Sequence, residues 1–238
     1  MEVTSLYREP ERREQLEFGA LEYHDVFKIF RSGPAETVAL RGLDLRIEPR
    51  ELVGVFGPSG SGKSTALQLA AGLDEPSAGE VRVFGRSLTR ADDAELARYR
   101  ARELAIVFQG GNLWPLLSAR DNVELIVRLA GRTSDLQRRV DRALDAFGLR
   151  RREHVRAGLL SGGEQQRVAI AAAAAKTAPL LLADEPTAEL DERNEENVLD
   201  ALRRLRGTFG STVVVVTHSA RVADAVDRVI ELRDGAVA

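Results

Sequence analysis

The nine residues Gly57, Pro58, Ser59, Gly60, Ser61, Gly62, Lys63, Ser64 and Thr65 leave this chain few folds to choose from. Just before them, residues 51–56 form a short apolar run rich in strand formers, which reads as a buried strand. Just after Gly62 come good helix formers that end at Gly72, a residue suited to a helix C-cap. A glycine-rich turn between a strand and a helix is the context in which the spacing G-x-x-x-x-G-K-[ST] carries chemistry. The glycines let successive backbone N–H groups curl toward an anion, and the helix N-terminus adds partial positive charge. All nine residues are therefore candidates for cradling a nucleoside triphosphate. Lys63 is placed to reach the β- and γ-phosphates, and the Ser64 hydroxyl to ligate Mg²⁺. A flexible Gly/Ser linker is the competing reading. It fits poorly, because the chain has only three lysines (Lys28, Lys63 and Lys176) and one of them falls at the required position.

A phosphate cradle needs a carboxylate for the metal and a group to handle water. Residues 179–186, Pro-Leu-Leu-Leu-Ala-Asp-Glu-Pro, supply both. The apolar run 180–183 suits a central parallel strand covered on both faces. Asp184 then falls at the strand's C-terminal end, where open α/β sheets place their ligand sites, and is the expected partner of Mg²⁺. Glu185 is the candidate general base for the attacking water, a role worth about 10²–10⁴ in rate. The run 212–217 reads as a second buried strand leading to His218, one of three histidines. At the same sheet edge His218 is positioned to hydrogen-bond a γ-phosphate.

With Phe108-Gln109, Leu160-Ser-Gly-Gly-Glu164 and Ala188-Glu-Leu-Asp191 added in this order, the chain resembles the nucleotide-binding subunit of an ABC transporter from about residue 20 to residue 238. The resemblance implies an α/β P-loop NTPase fold: a RecA-like core with an antiparallel β subdomain, plus a helical subdomain at about 110–165. It makes 20–238 a single domain behind a charged tail, 1–19. It implies ATP and Mg²⁺ as cofactors, and that Gln109 touches Mg²⁺ and the attacking water. Phe30, at the end of an alternating strand 21–30, would stack on adenine where the family usually has tyrosine. Ser161, Gly162, Gly163 and Glu164 open a helix and form a second anion site. One chain has no second nucleotide for that site. By the family's pattern it closes over the ATP of a second copy, with Asp191 in the loop between, so that two copies share two ATP molecules about a twofold axis.

Composition adds limits. The chain has 238 residues, a net charge of −3 and no cysteine, which excludes disulfide and thiol chemistry. With no basic stripe, a nucleic-acid partner is not expected. No apolar run approaches 18 residues, so a separate permease is expected as partner, with this subunit peripheral on the cytoplasmic face of the cell membrane. The turn-rich segment 110–117, holding the only tryptophan, Trp114, is the expected docking surface. Ser118 with Asp121, and Ser134 with Gln137, resemble helix-start capping patterns. The arginine-dense stretch 132–156 reads as a solvated helix face. Several phrases, among them 39–45, 71–76 and 182–187, resemble the macrolide-exporter and lipoprotein-release group, with a periplasmic adaptor as a further partner. Ala172 and Glu189 depart from that group. The alternative is a non-transporting ATPase that signals through a permease-like partner to cell-wall enzymes.

Overall fold

The computed structural model describes residues 18–32 and 35–238; the charged tail predicted at 1–19 lies, as far as residue 17, outside the described residues. Two long strands come first, β1 (Leu21–Ser32) and β2 (Ala35–Ile47), paired antiparallel. The predicted strand 21–30 runs on to Ser32, and its alternation is broken by register shifts between Tyr23 and Ile29. Asp25 sits there in the left-handed region (φ 48°), so the strand is bulged rather than regular. With β4 (Ala78–Val83) and β5 (Arg86–Ser87), β1 and β2 make a four-stranded antiparallel sheet in the order β2-β1-β4-β5.

The second sheet carries the chemistry. Its order is β10-β9-β3-β8-β7-β6, from β3 (Leu52–Phe56), β6 (Leu104–Val107), β7 (Leu180–Asp184), β8 (Thr212–Val216), β9 (Arg228–Arg233) and β10 (Ala236–Val237). All its pairings are parallel except β9 with β10. The central strands are buried on both faces, which explains their uninterrupted apolar runs. Leu180 and Leu182 face the antiparallel sheet and α1 (Lys63–Ala70), together with Val53, Val55 and Val214. Leu181 and Ala183 face the other way, onto α5 (Gly162–Lys176) and α6 (Glu192–Phe209), with Val213 and Val215. Two buried tyrosines pin α1 from its covered side: Tyr23 donates to the Ala66 carbonyl at 2.8 Å and Tyr99, from α2 (Asp93–Arg102), to that of Ala70 at 2.7 Å.

Between β6 and α5 lies the helical segment, with α3 (Ala119–Leu129) and α4 (Leu136–Ala146). The Ser118–Asp121 capping box is formed. The one predicted at Ser134 and Gln137 is not: Asp135, at φ 54°, precedes α4 and contributes no side-chain cap. Gln137 is drawn to α3 instead, donating to Glu124 and accepting from Arg120. The arginine-dense stretch is solvated only in part. Arg120 pairs with Asp141 and with Glu153, and Arg150 joins the same two carboxylates, tying α4 to α3. The short α7 (Ala220–Ala223) follows β8.

Candidate active site

Because β3, β8 and β7 are neighbours in parallel register, their C-terminal ends bring three separated stretches of sequence to one edge. Val55 lies opposite Val216, and Val216 opposite Asp184. Beyond these ends a cavity of about 640 Å³ opens, lined by Phe30, Thr37, Gly57–Gly60, Gly62–Thr65, Glu185 and His218 among others. The loop 57–62 is specified sterically as well as conformationally. A Cβ on Gly57 (φ 154°) would sit 2.1 Å from the Leu232 carbonyl oxygen, and one on Gly62 (φ 98°) 2.5 Å from that of Ala39. Lys63 is folded back on the loop, donating from Nζ to the Gly57 and Pro58 carbonyls at 2.8 and 2.9 Å. The Ser61 hydroxyl is turned inward, buried and without a partner, and the residue does not line the cavity.

Asp184 and Glu185 are adjacent carboxylates at the end of β7, and the strain there is visible. Glu185 is held at φ 48°, a left-handed conformation that a side-chain-bearing residue keeps only where its surroundings enforce it. One of its oxygens, Oε1, lies 2.8 Å from His218 Nδ1; the other, Oε2, is buried and unpartnered. His218 therefore contacts the Glu185 carboxylate in this structure. Burial pushes the Asp184 carboxyl pKa upward, and the neighbouring Glu185 charge adds to this. A hydrogen bond from Ser64 and the charge of Lys63 act against it. A hydroxyl and a carboxylate in contact, with an orphaned carboxylate oxygen beside them, form a hard, negatively charged oxygen set. It fits Mg²⁺, which prefers such donors and retains several waters.

Other predicted residues fall elsewhere. Gln109 does not line the cavity: its side-chain amide donates to Glu189 Oε1 at 2.9 Å, while its carbonyl accepts from Gln166. Thus Glu189, one of the departures from the family pattern, occupies the group expected at the metal. Asp191 caps α6, accepting from the Asn194 amide at 2.8 Å. Ser161 caps α5 in a capping box with Glu164, and none of Ser161, Gly162, Gly163 and Glu164 lines the cavity. The two glycines are fixed by close approach, since a Cβ on Gly163 would sit 2.7 Å from Asn194 Oδ1 and one on Gly162 3.1 Å from Leu190. Phe30 does line the cavity, with the Lys28 ammonium 5.0 Å from its ring centre. Sequence reasoning passed over Thr37, which sits opposite Phe30 across the β1–β2 pair and was legible only from register. It also passed over Glu195, hidden in the polar run that starts α6.

A parallel-stranded core with a glycine cradle, paired acids and a histidine at one sheet edge defines a P-loop nucleoside triphosphatase. Residues 40–188 match the family described as ABC transporter. The chain is 42% identical over 219 residues to a lipoprotein-releasing system ATP-binding protein LolD of Anaeromyxobacter dehalogenans, covering 91% of this chain and 92% of that one. It is 46% identical over 209 residues to a macrolide export ATP-binding/permease protein MacB of Rhodopseudomonas palustris; these cover 87% of this chain but 32% of that protein, so the chain spans about a third of its length. A dimeric structure of the ATP-binding cassette MJ0796, from Methanocaldococcus jannaschii, in a post-hydrolysis state with ADP and Pi superposes with a TM-score of 0.81 at 40% identity, covering 91% and 96% of the two chains. The chain belongs to the ABC transporter family, as an ATP-binding, ATP-hydrolysing cassette.

Proposed function

We propose that two copies of this chain close head-to-tail around two Mg²⁺-ATP molecules and that closure drives a separate membrane permease, in export or lipoprotein extraction. The observation that carries this reading is a mismatch inside one chain. The cavity holds the phosphate loop, Glu185 and His218, yet the helix-opening loop 161–164, with the geometry of an anion site, lies outside it. A second copy supplies what the cavity lacks. ATP then favours the closed dimer through contacts made only there, and its hydrolysis releases them.

In this scheme Lys63 leaves the loop carbonyls for the phosphates, and Phe30 stacks on the base. Glu185, oriented by His218, accepts a proton from the attacking water at its free carboxylate oxygen. Ser64 and Asp184 would hold Mg²⁺, which when bound would supply charge neutralisation at the phosphate oxygens. Gln109 reaches the metal site only on exchanging its bond to Glu189. Phe108, Trp114, Leu116 and Leu159 are large apolar side chains left exposed around the segment after β6, Leu116 at 80%. Such a surface suits a permease's cytoplasmic helices. Among the described residues no helix is long and apolar enough to cross a membrane, which fits a peripheral subunit at the cytoplasmic face.

Glu185→Gln tests the reading. The variant should bind ATP with unchanged affinity, lose turnover, and run as a dimer on sizing with ATP. Turnover near the unmodified rate would remove Glu185 from the role of base. Affinity capture from membranes then identifies the permease, and any periplasmic adaptor bound to it.

A further inference from the structure

We propose that Glu195 is a positioning residue for hydrolysis, clamping the loop that carries Glu185 to the loop that carries His218; this rests on the roles given to those two residues above. Glu195 lies in the first turn of α6 and is 9% exposed, an unusual place for a carboxylate. Its Oε1 accepts two hydroxyls, from Ser219 at 2.7 Å and from Thr187 at 3.3 Å. Its Oε2 faces Arg221 Nε at 3.8 Å. Thr187 is two residues past Glu185 and Ser219 is one past His218, so a single oxygen joins the turns leaving β7 and β8.

The two turns need such a tie. His218 has its side chain 72% exposed and meets Glu185 through a single 2.8 Å contact. Glu185 itself is in a strained conformation. Strain of this kind persists only where neighbouring contacts over-determine it. Beside the Glu185 N–H bond to the Val216 carbonyl and the Glu185–His218 contact itself, the Glu195 bridge holds one turn against the other. Glu195 does not line the nucleotide cavity, so its influence falls on the geometry of the base and not on the hold on ATP.

The test is steady-state ATPase kinetics on Glu195→Ala, Glu195→Gln, Ser219→Ala and the Glu195→Ala/Ser219→Ala double variant, with Glu185→Gln in parallel. Misplacing a catalytic group by about 1 Å costs on the order of a hundredfold, so Glu195→Ala should lower kcat by about tenfold to a hundredfold with KM for ATP within about twofold. Because both hydroxyls meet the same oxygen, Glu195→Gln, which keeps a carbonyl oxygen there, should recover most of the loss. The double variant should be no slower than Glu195→Ala alone, since both changes break one bridge. Unaltered kcat in Glu195→Ala, a loss in Glu195→Gln equal to that in Glu195→Ala, or additive losses in the double variant would each overturn the clamp. If Glu195→Ala does not fold, Ser219→Ala decides: wild-type kcat there overturns the proposal and a lowered kcat at unchanged KM supports it. An active Glu185→Gln refutes the base assignment; an inactive one beside a fully active Ser219→Ala refutes the clamp alone.

Discussion

Alkali should stabilise this protein before it destabilises it, and the reason is the far end of the helix that Ser161 opens. Lys176 closes α5 with 6% of its surface exposed, donating to the Arg100 carbonyl at 2.9 Å and to that of Leu104. Burial, assisted by the charge of Arg132, pulls its pKa from 10.5 down to about 8. The sign follows from proton counting. Between these two values the unfolded chain holds a proton that the folded chain has released, so stability rises with pH through that window. A fall from 10.5 to about 8 corresponds to about 3 kcal/mol of destabilisation, fully present below pH 8. Roughly 2 kcal/mol of it is recovered between about pH 7 and 9.5. Tyr23 and Tyr99 close the window from above. Burial raises both phenol pKa values, so the stability they contribute is lost as pH climbs beyond the ordinary tyrosine value near 10. Urea unfolding across this range, run on the natural chain and on Lys176→Met, isolates the lysine. The difference in unfolding free energy between the two should change by roughly 2 kcal/mol from about pH 7 to 9.5. A difference that stays constant over that range would refute the buried-cation account of Lys176.

Two further outcomes bear on the site. Ser161→Phe should leave ATP binding by the single subunit intact and abolish ATP-dependent dimerisation on sizing; normal dimers would sink the shared-site scheme. Phe30→Ala should weaken ATP binding by about tenfold, as stacking on a base is worth about 1–3 kcal/mol, with kcat at saturation little changed. Titration with a fluorescent nucleotide measures it, and unaltered affinity would make Phe30 a bystander in the cavity.

What the sequence made legible is what local rules specify. The phosphate loop, the apolar strands before Asp184 and His218, the Ser118 cap and the helix opening at Ser161 all stand where spacing put them, because each depends on neighbours within a turn or a strand. The local reading and the structure part where a distant partner outbids a near one. Gln137 had a serine three residues away to cap with and bonded to α3 instead. Gln109 was assigned by resemblance to the metal, yet a carboxylate eighty residues on, Glu189, holds its amide. Periodicity contains no information on such choices, which depend on which side chains tertiary packing brings within hydrogen-bond reach.

The first turn of α6 does more than its polar sequence suggests. Asp191 caps this turn. Asn194, one turn on, leaves room for no side chain at Gly163, so the helix that presents Ser161 seats directly upon it. Glu195, the next residue, joins the turns that carry Glu185 and His218. Two consecutive side chains thus touch two separate parts of the fold: the opening of α5 at Gly163 and, through Thr187 and Ser219, the turns leaving β7 and β8. Interior packing transmits displacement because it has few voids to absorb it. A displacement of α5 at Gly163 is therefore borne by Asn194, the neighbour of the Glu195 that joins the two turns.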